Sequence, residues 1–179
     1  MELVKIKKVI EAHGGGYAVL LGNEKKVFPI FVGGHEGMAM IREIQQQSTP
    51  RPLTHDLLGL VLRGFDLEIK KIVISGLVDN TFYATLVIQQ RIVGQDGEWT
   101  GKRNEVRIDA RPSDCVVLAL KESCEIWVEE SVFSSVTDVN ELFAAGEKQK
   151  LSGPSSLLEL DEDIDFDFDL GDMDGDREP

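Results

Sequence analysis

Two cysteines in 179 residues, Cys115 and Cys124, are too few for a disulfide scaffold or a four-cysteine zinc site. A reducing, cytoplasmic setting is the expectation that follows. No apolar run approaches the roughly 20 residues that a membrane span needs. The opening MELVKIKKVIEAH alternates charges with aliphatics where a secretory leader would carry an uninterrupted apolar segment. No membrane partner is expected. Several signatures are missing as well. HGGG at 13–16 has no accompanying G-x-S-x-G elbow, which an esterase would require, and reads as a turn. GGHEG at 33–37 has neither the dinucleotide-binding nor the P-loop pattern. It remains a helix start that could hold an anion, with Glu36 a candidate ligand or base. DMDGDREP places its glycine wrongly for a calcium loop and stops before a twelfth-position acid.

What is present is a core and a charge asymmetry. Apolar residues make up 42% of the chain, enough for a real interior. Of the formal charge of -13, residues 151–179 carry -10, from eleven acids and one base, which leaves -3 for residues 1–150. A near-neutral body argues against a strongly basic module that coats duplexes, yet allows a nucleic-acid partner wherever local potential is positive. Residues 141–179 read as a linker and a disordered acidic tail, with Ile164, Phe166, Phe168 and Leu170 interspersed among its acids. That tail is either solubilising, a partner-binding peptide, or an internal mimic of nucleic acid.

Residues 1–140 read as a single compact α+β domain with a mixed, largely antiparallel sheet and about three helices. Stretches 2–10, 17–21 and 26–32 suggest a meander. HEGMAMIREIQQQ follows as a helix, with Met38, Ile41 and Ile44 at helical spacing. LTHDLLGLVLRGF predicts a second helix capped by Thr54, stopped by Gly64, and with Leu57, Leu58, Val61 and Leu62 as its apolar face. Two strands joined through Asp79 and Asn80 form the clearest hairpin. GQDGEWTGKRN reads as a loop, EVRIDA as a strand, PSDCVVLALKES as a third helix and CEIWVEES as a last buried strand.

The pattern RPLTHD at 51–56 recurs as ARPSD at 110–114. As helix starts, Asp56 and Asp114 complement the helix dipole and Pro112 presets the first turn. That grammar does not account for Arg51, Arg111 or His55. Arginines and helix N-termini, with Ser113 and Thr54, supply phosphate-binding donors. His55, Asp56, Asp114 and Glu36 supply candidate catalytic groups, and Asp56, Asp109 and Asp114 candidate ligands for magnesium or manganese. The inventory suits phosphodiester hydrolysis, provided that the two motifs meet in space.

The ordered series VFPIFVGGHEGMAM, RPLTHDLL, NTFYATLVI, RIDARPSDCVVLAL and IWVEESV closely resembles the bifunctional nuclease domain family over roughly residues 3–135. The resemblance implies a compact α+β domain, a homo-oligomer, and a nuclease degrading RNA and DNA. It carries over Glu36, Arg51, Thr54, His55, Asp56, Asn80, Thr81, Tyr83, Asp109, Arg111, Ser113 and Asp114. Gly37 stands where the family has alanine, and Cys115-Val116 where Ala-Ile is common. The competing expectation is a non-catalytic interaction or regulatory module whose motifs are structural and whose tail binds a partner.

Overall fold

Short β-branched runs punctuated by turn residues pair locally, and the longer pairings follow from them. The structure is a computed structural model that describes residues 1–12, 14–93 and 99–140, with the backbone alone for 91–93 and 99–103. Strands β1 (Glu2–Ala12), β2 (Gly16–Gly22) and β3 (Val27–Val32) form the expected antiparallel meander. Gly14 and Gly15 turn the first corner at φ 94° and 82°, where residues with a Cβ are strained. Helices α1 (Gly34–Ile44) and α2 (Thr54–Gly64) come next. The hairpin β4 (Leu67–Val78) and β5 (Thr81–Val93) closes through Asp79 and Asn80, both at positive φ as a two-residue turn with the right twist requires.

Strand β6 (Trp99–Ala110) starts earlier than the sequence suggests. Residues 99–104, expected in a loop, pair with the end of β5, because a long β5 offers them an unpaired edge. Helix α3 (Pro112–Glu122) and strand β7 (Glu125–Val128) are as expected, and a short helix α4 (Glu130–Ser135) adds a fourth where three were anticipated. The sheet order is β3-β2-β1-β7-β4-β5-β6, antiparallel except where β7 lies parallel to β4, so the class is α+β with a mixed sheet. The expected linker and tail, 141–179, lie outside the described residues.

The helices cover one face. Ile69, Ile72 and Ile74 of β4, with Ala84, Leu86 and Ile88 of β5, share a core with Met40, Leu62, Val132 and residues 115–119 of α3. Strand alternation sends Lys71, Val73, Thr85, Arg107 and Asp109 to the opposite face. Two helix readings need correction. Met40, not Met38, is the buried methionine of α1, and Met38 is exposed beside the Tyr17 hydroxyl, which donates to its sulfur at 3.1 Å. On α2 only Gly59 and Leu62 are buried, while Leu57, Leu58 and Val61 face out. Gly37 has a local reason to differ from alanine. It is buried under the Tyr17 ring, and a Cβ there would overlap that ring. Among the described residues no helix is long and apolar enough to cross a membrane.

Candidate active site at three helix N-termini

Helices α1, α2 and α3 begin alike. Their N-caps are Gly33, Leu53 and Arg111, each in extended conformation with no side-chain cap, and each helix has an acid at the third helical position: Glu36, Asp56 and Asp114. Such acids complement the positive end of the helix dipole. Asp56 also accepts the Leu53 amide at 2.6 Å. Thr54, expected as the cap of α2, is instead its first helical residue, and Gly64 is the last, with the left-handed turn made by Asp66 at φ 54°.

The two Arg-Pro motifs meet. His55 Nε2 lies 3.1 Å from Asp114 Oδ1, across 59 residues of sequence. Arg111 donates from Nε to Asp114 Oδ2 at 2.8 Å and from Nη2 to Oδ1 at 3.2 Å, and its Nη1 lies 3.0 Å from Glu36 Oε1. One cluster thus joins all three helix starts. Glu36 has room because Gly33 lacks a side chain: a Cβ there would come within 2.6 Å of its Oε2. His55 and Glu36 are each 19% exposed, whereas Arg111 is 66% exposed and forms the open side of the cluster.

Electrostatics follows from this pairing. Burial alone would raise the Asp114 pKa, but the hydrogen bonds from Arg111 and His55 outweigh it and hold the carboxyl below its ordinary value. The same pairing, Asp114 first and Glu36 after it, pushes the Arg111 guanidinium further from titration.

A second cluster, unforeseen in the sequence, sits near the other end of α3. Lys121 bonds to Asp56 of α2 and, at 2.6 Å, to Glu43 of α1. Lys121 in a last helical turn signalled only a dipole contact, and nothing local marked Glu43. Arg63 of α2 adds a pair with Glu122 at 2.8 Å. The Lys121 bond, with the Leu53 amide, lowers the Asp56 pKa. Burial tends to lower the Lys121 pKa, but its two carboxylates win and raise it. A depressed carboxyl stabilises the fold above its ordinary pKa, and that contribution disappears as pH falls through the folded value. The raised lysine contributes below its ordinary pKa and is lost at higher pH. Unfolding followed between about pH 2 and 6 should therefore show a shallower acid loss of stability in Asp56→Asn than in the native chain. Equal slopes would contradict the pairing.

Not every anticipated residue joins the site. Asp56 belongs to the Lys121 cluster. Asp109 lies on the other face of the sheet, in a depression of about 250 Å³ with Lys71, Ser75, Thr85 and Arg107, because Ala110 takes the inward parity. The proposed triad Asp56, Asp109 and Asp114 is therefore not gathered, and among the described residues no three His, Cys, Asp or Glu side chains could hold a metal ion. Both acids of the first cluster are already bonded to Arg111, so the donor set as it stands does not fit magnesium or manganese. Ser113 is half-buried in the first turn of α3; Thr54 and Arg51 are exposed at the start of α2. Arg51 enters none of the ion pairs above. Asn80, Thr81 and Tyr83 lie at the β4–β5 turn, and the pairing of Ala84 with Ala110 brings that end of β5 beside Arg111. Cys115 and Cys124 are free thiols that burial pushes up to about 12, which disqualifies them as nucleophiles at neutral pH.

The sequence was compared with known families and proteins. Residues 19–140, which include every residue of both clusters, match the family described as the bifunctional nuclease domain. Two curated proteins of Mycobacterium tuberculosis, from strains CDC 1551 / Oshkosh and H37Rv, are each 34% identical over 112 residues, 63% of this chain. Both are named only as uncharacterized proteins, and the match spans 60% of their length.

Proposed function

The chain belongs to the bifunctional nuclease domain family, and from that premise we propose that it hydrolyses phosphodiester bonds in RNA or DNA at the cluster of His55, Asp114, Arg111 and Glu36. The observation that carries this reading is the His55–Asp114 contact of 3.1 Å beneath the exposed Arg111. An ionised carboxylate only accepts hydrogen bonds, so Nε2 carries the proton and Nδ1 of the neutral ring keeps its lone pair. Nδ1 then serves as the general base. It takes a proton from the attacking hydroxyl, the ribose 2′-OH in RNA or a water for DNA, and returns it to the departing oxygen. Asp114 fixes the ring and balances the imidazolium formed on the way.

Charge on the phosphoryl oxygens falls to Arg111. A guanidinium has five N–H donors; three are engaged by Asp114 and Glu36, which leaves two for phosphate. Glu36 and Asp114 hold the fork in place, so little reorganisation is needed when charge develops. The unpaired amides of the first turn of α3, with the Ser113 hydroxyl, add donors on the same side, and Thr54 and Arg51 extend the phosphate track along the start of α2. No step passes through a divalent ion.

Purified protein assayed on single-stranded RNA and DNA tests the reading. Cleavage should persist with chelator present and fall roughly 10²- to 10³-fold in Arg111→Ala. Absence of cleavage overturns the proposal. Cleavage abolished by chelator and restored by magnesium or manganese would overturn the metal-free scheme.

A further inference from the structure

Helix α2 turns its ionisable side chains toward the body and an apolar ridge toward solvent. His55, Asp56 and Arg63 are bonded to Asp114, Lys121 and Glu122, all on α3. Leu53 and Phe65 at the two ends of the helix, and Leu57 and Val61 between them, are 41–67% exposed. A surface helix ordinarily has the reverse arrangement, with its apolar stripe on the core and its charges in water. The four residues follow one another at intervals of four, so they form one ridge, which Leu58 and Leu60 widen. At about 1.5 Å of rise per residue the ridge is ~18 Å long, with a side chain roughly every 6 Å.

The charge that borders the ridge is positive. Arg51 is exposed just before it and enters no ion pair among the described residues, and Arg63, 56% exposed, stands between Val61 and Phe65 in sequence. The one acid of α2, Asp56, is bonded to Lys121 on the inner side. A complementary occupant is apolar along one side and acidic on the other.

The chain itself supplies such a strip. Residues 161–170 hold six acids and no base, with Ile164, Phe166, Phe168 and Leu170 at every second position. An extended chain puts alternate side chains on one side at intervals of about 6.7 Å, so these four span ~20 Å. Spacing and length both match the ridge. Reach is ample: Asn140 is the last described residue and Ile164 lies 24 positions further on, a stretch that can span up to ~80 Å, against a width of about 40 Å for a domain of this size. Tethering also supplies an effective concentration in roughly the millimolar range, so a contact of modest intrinsic affinity suffices. A second copy would bring its own arginines to the ridge and lacks this charge complementarity.

We propose that residues 163–170 lie extended along α2 of the same chain, with Ile164, Phe166, Phe168 and Leu170 against the ridge from Leu53 to Phe65 and the intervening acids in the field of Arg51 and Arg63. The contact is intramolecular and does not depend on the nuclease reading.

A nitroxide attached at Asp167→Cys in the full chain, with backbone amides read by NMR, tests it. Cys115 and Cys124 stay protonated at neutral pH and do not compete for the label. The strongest loss of signal should fall on residues 53–65. No loss, or a loss centred elsewhere, overturns the proposal. Adding Phe166→Ser/Phe168→Ser, which alters nothing within residues 1–140, should restore the signals, and so should Leu57→Glu/Val61→Glu. Persistent loss in the phenylalanine variant would show that these side chains do not hold the strip, and would overturn the contact. In a mixture of unmodified isotope-labelled chain with spin-labelled chain lacking the isotope, at roughly 20 to 200 µM, the signals of residues 53–65 should remain. Their loss there would place the strip on a neighbouring copy and overturn the intramolecular arrangement.

Discussion

Replacing His55 with alanine is expected to lower the rate of RNA cleavage by about 10²- to 10⁴-fold, the usual cost of losing a positioned general base, and to leave the fold nearly intact. The two halves of that expectation come from the same geometry. His55 makes one side-chain bond, to Asp114, and a single hydrogen bond contributes about 1 kcal/mol to stability. Asp114 keeps both bonds from Arg111 when the imidazole is gone, so no buried charge is abandoned. Cleavage, in contrast, would lose its proton acceptor outright. Added imidazole should restore part of the rate in His55→Ala, because the vacated space beside Asp114 can admit the small base. A variant that cleaves at the native rate, or one that is inactive because it is unfolded by circular dichroism, would remove His55 from the role assigned to it.

How much of this was legible in the sequence depends on whether the signal was local. The acids at the third position of each helix and Pro112 at the start of α3 are local grammar, and they were readable. So was the Asp79-Asn80 turn, whose chemistry is contained in two residues. The union of His55 with Asp114 is a contact across 59 positions, and no local pattern encodes it. The echo of two Arg-Pro motifs raised the question, and only the packing of α2 against α3 answers it. Asp109 shows the opposite situation. Its parity was available in the alternation of Val106, Ile108 and Ala110, which puts Asp109 on the other face, but its closeness in sequence to Asp114 suggested a shared site. On α2 the apolar residues outnumber the places the body offers, so composition could not say which side would be buried. Gly59 decides it by allowing close approach to Glu122. Lys121 carries no local mark, because its partners, Asp56 and Glu43, come from two other helices.

The largest loss of stability is expected from Phe28→Ala, about 3–5 kcal/mol, more than any ion pair named above would give. Phe28 is fully buried on β3, stacked 6.0 Å from Phe82 and edge-on 6.3 Å from Phe133. Truncation removes most of that aromatic volume from a fully buried place, so the lost transfer energy and the cavity add. The two ring contacts contribute a further ~0.5–1.5 kcal/mol each beyond area. The surroundings amplify the effect. Lys26, just before β3, donates to the carbonyls of Phe133 and Val136 at 2.8 and 3.0 Å, and the Val139 amide donates to the Val27 carbonyl at 2.8 Å, so the start of β3 seats α4 and the segment after it. By comparison the Arg63–Glu122 pair has its arginine 56% exposed and should contribute about 1 kcal/mol or less. The midpoint of thermal unfolding should therefore fall by roughly 10–25 °C in Phe28→Ala, from about 3–5 °C per kcal/mol for a domain of this size. Phe28→Leu, which keeps most of the volume, should cost under about 1.5 kcal/mol, and Arg63→Ala should move the midpoint by only a few degrees. If Phe28→Ala and Arg63→Ala shifted it equally, aromatic packing at β3 would not be the main support of this end of the fold, and the three-ring cluster would have to be demoted to a surface feature of α4.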